Sequence, residues 1–329
     1  MLVLSRDHVR SLVPMPVAID LMKSVFAELS AGRTDSPLRT VIPLPDRKAD
    51  ALFMPAFVPA MDALGMKSVN VFRKNLDRGL PVIHAVVILI DTETGQPMAL
   101  MDGTYLTALR TGAVAGAAAD LLARPESEVL TVIGAGAQGV TQIAAICAVR
   151  NISRVIAVDV KPESLSRLQA DLERDWPELA ERVETTDDTG AAVRVADIVC
   201  TATTSTVPVF RDQDVRPGTH VSGVGAFTPE MQEIPAETVE RATIIVDSVE
   251  AVLAEAGDLI IPLNQGRITR EAFRRELGAL VTGDVLGRTS PDEITFFKSV
   301  GNAVQDVVVG RYAVDRAREL GIGTDLSLS

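Results

Sequence analysis

One six-residue stretch, Gly134-Ala-Gly136-Ala-Gln-Gly139, constrains the fold more than any other part of the chain. It follows directly on the apolar run Val129–Ile133 and opens a helical pattern through Ile143 and Ile146. In that setting Gly134 permits a tight turn, Gly136 lets backbone approach a phosphate, and Gly139 lets the helix pack on the strand. The helix N-terminus then faces the phosphates with unpaired N–H groups. A lone Gly-x-Gly-x-x-Gly pattern says little, but between a strand and a helix it reads as a dinucleotide-binding turn. Such a turn asks for an acidic residue at the end of the next strand, to bond a ribose 2′-hydroxyl. Asp159 closes the run 155–158 at that place, and the only base nearby is Lys161. A carboxylate there repels a 2′-phosphate, so NAD(H) is favoured over NADP(H). The same position also suits a plain cap for a helix starting at Pro162.

The rhythm around this turn is strand–helix–strand. Strands are expected at Val129–Ile133, 155–158, Ile198–Thr201, 220–224 and Thr243–Val246, with helical patterns such as 163–174 between them. That alternation calls for a parallel sheet with crossover helices. A further helix is expected from Glu293 through Phe297, Val300, Val304 and Val308. Upstream the texture differs. Val17, Leu21, Met22, Val25, Phe26 and Leu29 recur at helical spacing, with Pro16 in the first turn and Gly32 at the end. Short apolar runs at Thr40–Leu44, 52–57, 65–71 and 82–90 are separated by Pro, Asp and Gly, which suggests an antiparallel sheet. Asp91-Thr-Glu-Thr-Gly95 reads as a reverse turn into a strand at 97–101, and the Ala/Gly-rich segment 106–123 as a closely packed helix. The expected class is α/β: a Rossmann-type doubly wound parallel sheet domain at 123–302 beside an α+β domain at 1–122. The hinge is expected at 122–128, and a C-terminal helix, about 303–329, is expected to pack on the first domain.

Composition narrows the partners. A chain of 329 residues matches two domains and buries enough surface to need no disulfide or metal staple. The formal net charge is −12 with no block of basic residues, so a nucleic acid or an anionic bilayer would be repelled. Cys147 and Cys200 sit in apolar runs without a CxxC pair or a His cluster, so no metal site is expected and a reducing cytoplasm is. The start, MLVLSRDHVR, has no apolar core of a secretory signal, and no apolar run is long enough to span a bilayer.

Against this acidic background a few cations stand out. Between Gly79 and Ala123 the only Lys or Arg is Arg110, on a helix otherwise made for burial. A buried guanidinium needs an anion, either a substrate carboxylate or an ion-pair partner such as Asp102 or Asp120. Lys67 lies on a predicted strand whose alternation puts Met66, Ser68 and Asn70 on the opposite face. On an inner face its ammonium would have a lowered pKa and could donate a proton or hold a carboxylate; on a solvent-facing edge it would do neither. Arg39, in a loop after Pro37, says little alone. His84 reads as an ordinary sheet histidine, and Arg73 and Arg78 as loop charges.

Asn75-Leu-Asp-Arg-Gly79-Leu-Pro81, Asp91-Thr-Glu-Thr-Gly95, Thr107-Ala-Leu-Arg110-Thr-Gly-Ala113, the 134–139 turn and Phe297-Lys-Ser-Val-Gly301-Asn-Ala together resemble the ornithine cyclodeaminase/mu-crystallin family. The resemblance runs in order from about Leu4 to Gly310. It implies a homodimer in which residues 1–122 and the C-terminal helix form the substrate-binding and dimerisation domain. It also implies that Arg39, Lys67 and Arg110 hold an amino-acid carboxylate. Ala137, Gln138 and Asp159 would contact the dinucleotide with Gly134, Gly136 and Gly139, and Thr201, Thr203 and Ser299 would add further contacts.

One departure bears on the chemistry. Where the cyclodeaminases of that family look to carry an Asp and, four residues on, a Lys, this chain has Phe227 and Met231. Without that carboxylate, handling the amine of ornithine is disfavoured, and the Phe-Thr-Pro-Glu-Met pattern is more similar to imine reductases. The resulting expectation is an NAD(P)H-dependent oxidoreductase that reduces the C=N bond of a small 2-imino acid to an L-amino acid. Lys67 and Arg110 would be catalytic, and Arg39 and Phe227 would complete the substrate site. The substrate could be a cyclic ketimine such as Δ1-pyrroline-2-carboxylate or an open imine of the iminosuccinate or pyruvate type, and Arg73 is a hint of a second carboxylate. The alternatives are a lyase of the ornithine cyclodeaminase type using NAD catalytically, and a non-enzymatic dinucleotide-binding protein of the mu-crystallin kind.

Overall fold

Two seven-stranded sheets organise the chain, one almost wholly antiparallel and the other wholly parallel. The computed structural model describes residues 1–327, with Leu76 described by its backbone alone. The chain divides into two compact units, Met1–Arg110 with Asn302–Ser329, and Thr111–Gly301.

The first unit begins with β1 (Leu2–Leu4), α1 (Arg6–Leu12) and α2 (Met15–Ser30). Ser5 caps α1 through a capping box with His8, and Gly32, at φ +68°, lies just beyond the end of α2. Then come β2 (Thr40–Leu44), β3 (Ala49–Val58), β4 (Ala63–Phe72), β5 (Ile83–Ile90), β6 (Pro97–Asp102) and α3 (Gly103–Leu122). The turn from β5 to β6 forms as expected: the Asp91 carboxylate accepts from the Thr94 and Glu93 amides, and Gly95 takes φ +72°.

The second unit runs β7 (Val129–Ile133), α4 (Ala137–Val149), β8 (Arg154–Val158), α5 (Pro162–Asp175), α6 (Pro177–Ala180), β9 (Val183–Thr186) and α7 (Thr189–Val195). It continues with β10 (Ile198–Thr201), β11 (His220–Gly223), α8 (Ala236–Arg241), β12 (Thr243–Val246), α9 (Val249–Glu255), α10 (Gly257–Asn264), α11 (Leu277–Thr282) and β13 (Thr295–Lys298). Its strand order is β12-β13-β11-β10-β7-β8-β9, all parallel. From β7 the chain winds outward to β9 and then returns to β10 on the other side. The β7/β10 edge is the switch point where doubly wound sheets bind ligands. The chain closes with α12 (Ala303–Leu320) and β14 (Thr324–Asp325), both in the first unit. There the sheet order is β14-β1-β6-β5-β4-β3-β2, with α12 packed across β3, β4 and β5.

Three expectations need correction. The expected helix from Glu293 is instead strand β13, lying between β11 and β12, and the helix starts only at Ala303 behind an Asn302 cap. All of β13 is buried, and a buried strand and a buried helix share the same unbroken apolar run. The C-terminal helix stops at Leu320 because Gly321 turns left-handed at φ +66°, after which β14 pairs with β1; residues 328–329 lie outside the described residues. The division between units falls at Arg110/Thr111, inside α3, not at the expected 122–128 hinge, and it assigns Asn302 to the first unit.

Candidate active site

In the parallel unit the glycine-rich turn has the expected form. Gly134 takes φ +106°, its amide donates to Val158 O at 2.8 Å, and a Cβ there would lie 2.6 Å from Ala202 O. A Cβ on Gly139 would lie 2.5 Å from Gly134 O, so the helix start sits against the turn only without a side chain. Gly136 differs: a Cβ there would meet nothing within 4 Å. The space beside it is open, and α4 begins at this glycine without a side-chain cap. Gln138 Oε1 and Thr201 Oγ1 are both buried without a hydrogen-bond partner. Open space over an uncapped helix start, with two unsatisfied polar atoms in the same region of the sheet, fits a phosphate-bearing dinucleotide.

Asp159 does more than its position predicts. Its Oδ2 accepts from Ala135 N at 2.8 Å and its Oδ1 from Lys161 N at 2.9 Å, so it ties the glycine-rich turn to the end of β8. It is not the cap of α5, whose N-cap residue is Lys161. Thr203 donates its amide to Glu233 Oε1 at 2.6 Å, and its hydroxyl accepts from Ser205 N. Ser299 is buried and donates to Asp247 Oδ2 at 2.7 Å, an oxygen that also accepts from Val300 N and Gly301 N. Phe227 is half-buried and packs on the hydrophobic core of this unit.

In the antiparallel unit the structure brings Lys67, Arg110 and a residue the sequence did not flag onto one buried spot. Lys67, on the face of β4 covered by α12, is 1% exposed, and its Nζ lies 2.7 Å from Asp306 Oδ2. Arg110 Nε lies 3.2 Å from Asp306 Oδ1, and its Nη1 donates to Gln305 Oε1 at 2.8 Å. The ion-pair partner of Arg110 is thus Asp306, neither Asp102 nor Asp120. Asp102 accepts from Tyr105 N at the start of α3, and Asp120 pairs with Arg150. Burial and the Arg110 charge pull the Lys67 ammonium down to about 7; Asp306 opposes that shift and Arg39 adds to it. The half-buried Arg39 therefore acts on the same cluster. His84 is exposed on β5, and Arg73 pairs with Asp50 at 2.8 Å on an exposed stretch.

Burial pushes the Cys147 thiol up to about 11 and the Cys200 thiol higher still. Among the described residues no cluster of His, Cys, Asp and Glu could hold a metal ion, and no helix is long and apolar enough to cross a membrane.

A doubly wound parallel sheet with an open glycine-rich turn, and a second unit that carries buried cations, defines a class: a dinucleotide-binding oxidoreductase fold with a separate second unit. The sequence pattern of the ornithine cyclodeaminase/mu-crystallin family matches residues 1–321, and the chain belongs to that family. It is 38% identical over 327 residues to the Δ1-pyrroline-2-carboxylate reductase of Bacillus cereus, covering 99% of each chain. A solved structure of the Thermococcus litoralis Δ1-pyrroline-2-carboxylate reductase with NADH and L-proline superposes with a TM-score of 0.94 at 37% identity, over 99% of this chain and all of that one. An archaeal alanine dehydrogenase dimer with bound NAD superposes at 0.91 with 33% identity, over all of this chain and 99% of that one.

Proposed function

We propose that this chain reduces a small cyclic 2-imino acid of the Δ1-pyrroline-2-carboxylate kind to the L-amino acid with NADH. The observation that carries the reading is the buried Lys67–Asp306–Arg110 cluster. It sets two buried cations, Lys67 and Arg110, on the two oxygens of the Asp306 carboxylate. Buried cations in excess of their counterions call for an anion, and a substrate carboxylate supplies it. The full-length likeness to pyrroline-2-carboxylate reductases supports the ring. The outward pairing of Arg73 with Asp50 offers no support for a second substrate carboxylate.

The turn at Gly134, Gly136 and Gly139, with Ala137 and Gln138, takes the pyrophosphate, and Asp159 takes the adenosine ribose. Thr201, Thr203 and Ser299 line the nicotinamide side. When bound, the dinucleotide supplies the hydride. Arg110 and Arg39 hold the substrate carboxylate, with Asp306 and Gln305 fixing the guanidinium of Arg110 so that its remaining N–H groups point one way. Lys67, titrating near neutrality, keeps the imine nitrogen protonated, which makes the adjacent carbon electrophilic. The Phe227 ring, in place of a carboxylate, disfavours handling the ammonium of a diamine.

The protein acts as a homodimer. The face of the first sheet opposite Lys67 carries Ile42 at 51% and Val86 at 41% exposure, with Phe53, Met66, Ile88 and Leu100 half-buried in the same register. A largely apolar face of this kind, broken by Ser68 and Asn70, is a docking surface, here for a second copy. Two free thiols and an acidic surface suit a reducing cytoplasm.

The test is NADH consumption with preformed Δ1-pyrroline-2-carboxylate, with 2-oxo acids plus ammonia, and with L-ornithine. Stoichiometric NADH loss with the cyclic imine is expected. Ammonia release from L-ornithine with NADH unchanged would instead establish the lyase.

A further inference from the structure

We infer that Glu233 is a positioning residue for the nicotinamide side of the dinucleotide site, acting as a clamp on the two loops that follow β10 and β11. This rests on the NADH reading of the parallel unit. Glu233 is fully buried, and its carboxylate accepts from three backbone amides. Its Oε1 accepts from Thr203 N at 2.6 Å, and its Oε2 from Gly225 N at 2.8 Å and Ala226 N at 3.0 Å. One side chain therefore joins the loop that carries Thr203 to the loop that leads to Phe227.

The loops also touch directly. A Cβ on Gly225 would lie 2.3 Å from Thr203 O and 2.6 Å from Glu233 Oε1, so only glycine allows the approach. The clamp is itself held. Asp258 Oδ1 accepts from Glu233 N at 2.7 Å and Ile234 N at 3.0 Å, while its Oδ2 takes Lys298 Nζ at 2.8 Å. Asp258 and Lys298 are fully buried, and Lys298 is the last residue of β13. The C-terminal ends of β10, β11 and β13 thus meet in one network, on the edge of the sheet where doubly wound folds bind ligands. Thr201, whose buried hydroxyl lacks a partner, lies two residues before the clamped Thr203.

A carboxylate is the group this arrangement requires. It offers acceptor sites on both oxygens, whereas a glutamine must turn a donating NH2 toward at least one of the three amides. Glu233→Gln keeps size and shape but breaks the clamp, leaving buried N–H groups unmatched.

The experiment measures NADH affinity by fluorescence titration alongside amide hydrogen exchange and thermal melting. In the unmodified protein without NADH, the Thr203, Gly225 and Ala226 amides are expected to be protected like those of β10 and β11. Exchange as fast as in exposed loops would overturn the clamp without any variant being made. In Glu233→Gln those amides should lose protection and the NADH Kd should rise by roughly tenfold to a hundredfold, the cost of one unsatisfied buried donor. Glu233→Asp, which keeps the acceptors on a shorter arm, should recover part of the affinity. Wild-type NADH affinity in a folded Glu233→Gln would overturn the positioning role. Failure of the unmodified protein to bind NADH would overturn the dinucleotide reading instead.

Discussion

Two buried charge networks sit in this chain, and their difference separates scaffold from site. In the parallel unit, Glu233 and Asp258 meet Lys298 and five backbone amides, so each carboxylate is satisfied internally. In the antiparallel unit Lys67 and Arg110 share the carboxylate of Asp306, one on each oxygen. Burying charge is costly unless it is paired. The first network is closed by backbone donors, which suits holding loops in place. The second rests two cations on one carboxylate, and the proposed substrate carboxylate would be their further partner.

The largest effect that could break this contrast is at Arg110. Arg110→Ala removes a buried guanidinium and strands Asp306 beside Lys67 alone. The loss in kcat/KM is expected to be on the order of 2–4 kcal/mol, the scale of truncating one partner of a buried charge pair. Arg110→Lys should recover little, because an ammonium cannot reach Asp306, Gln305 and a substrate carboxylate in one plane. Steady-state kinetics on the cyclic imine, with the melting temperature as control, decides it. Near-normal activity of a stable Arg110→Ala would return this cluster to the scaffold.

Asp306 offers a sharper test with a smaller change in rate. Lys67 is held near 7 by burial and by Arg110, with Asp306 pulling the other way. A proton donor that must be charged loses activity as pH rises through its pKa, so kcat should fall on the alkaline side of about 7. Asp306→Asn removes the one group that raises the Lys67 pKa, so this falling limb should move to lower pH. Titration of the free imine enters kcat/KM identically for both proteins, so a limb that moves there belongs to the enzyme. An unmoved limb in Asp306→Asn would take Lys67 out of the proton-transfer role.

What could be read from the sequence divides along the same line. The glycine-rich turn and Asp159 were legible because their logic is local, a few residues between a strand and a helix. Lys67 and Arg110 were legible because a cation is rare on an apolar strand or helix. Asp306 was not, since its pairing with Arg110 spans 196 residues and its helix is buried on several faces, so that Gln305 and Asp306 simply interrupt an apolar run. The signal was those two adjacent polar residues among valines. Glu233 follows the exposed Glu230 by three residues in a loop, and nothing local in the sequence marks it as buried. Strand β13 was misread as helix because burial on both faces erases the alternation that distinguishes the two. The division at Arg110/Thr111 was hidden by the continuity of α3.

Asp159 tests the cofactor side. Its carboxylate has an observed task toward Ala135 N and Lys161 N and a proposed one toward ribose. Asp159→Ser with Val160→Arg should shift preference toward NADPH, since the carboxylate is gone and the 93% exposed Val160 leaves room for a guanidinium. The same change frees the Ala135 amide, so NADH affinity should fall by more than the NADPH affinity gains. A tenfold or greater NADPH preference in the unmodified protein would show that Asp159 serves the turn and not the ribose.

The smallest expected effect is at Arg73, and its smallness is informative. Arg73 lies just beyond β4 and pairs with Asp50 while its side chain remains 54% exposed. Exposed ion pairs of this kind contribute little, between about 0 and 1 kcal/mol. Arg73→Ala should therefore leave both stability and kcat/KM on a cyclic monocarboxylate within about 0.5 kcal/mol of the unmodified protein. A substrate with a second carboxylate would need another cation, and Arg73 is the residue the sequence offered for it. Paired kinetics on Δ1-pyrroline-2-carboxylate and on an open dicarboxylic imine separate the cases. Equal, slight effects on both leave the ring as the preferred substrate. A loss confined to the dicarboxylate would mean that the Arg73–Asp50 pair opens to bind it, extending the anion site beyond the buried cluster.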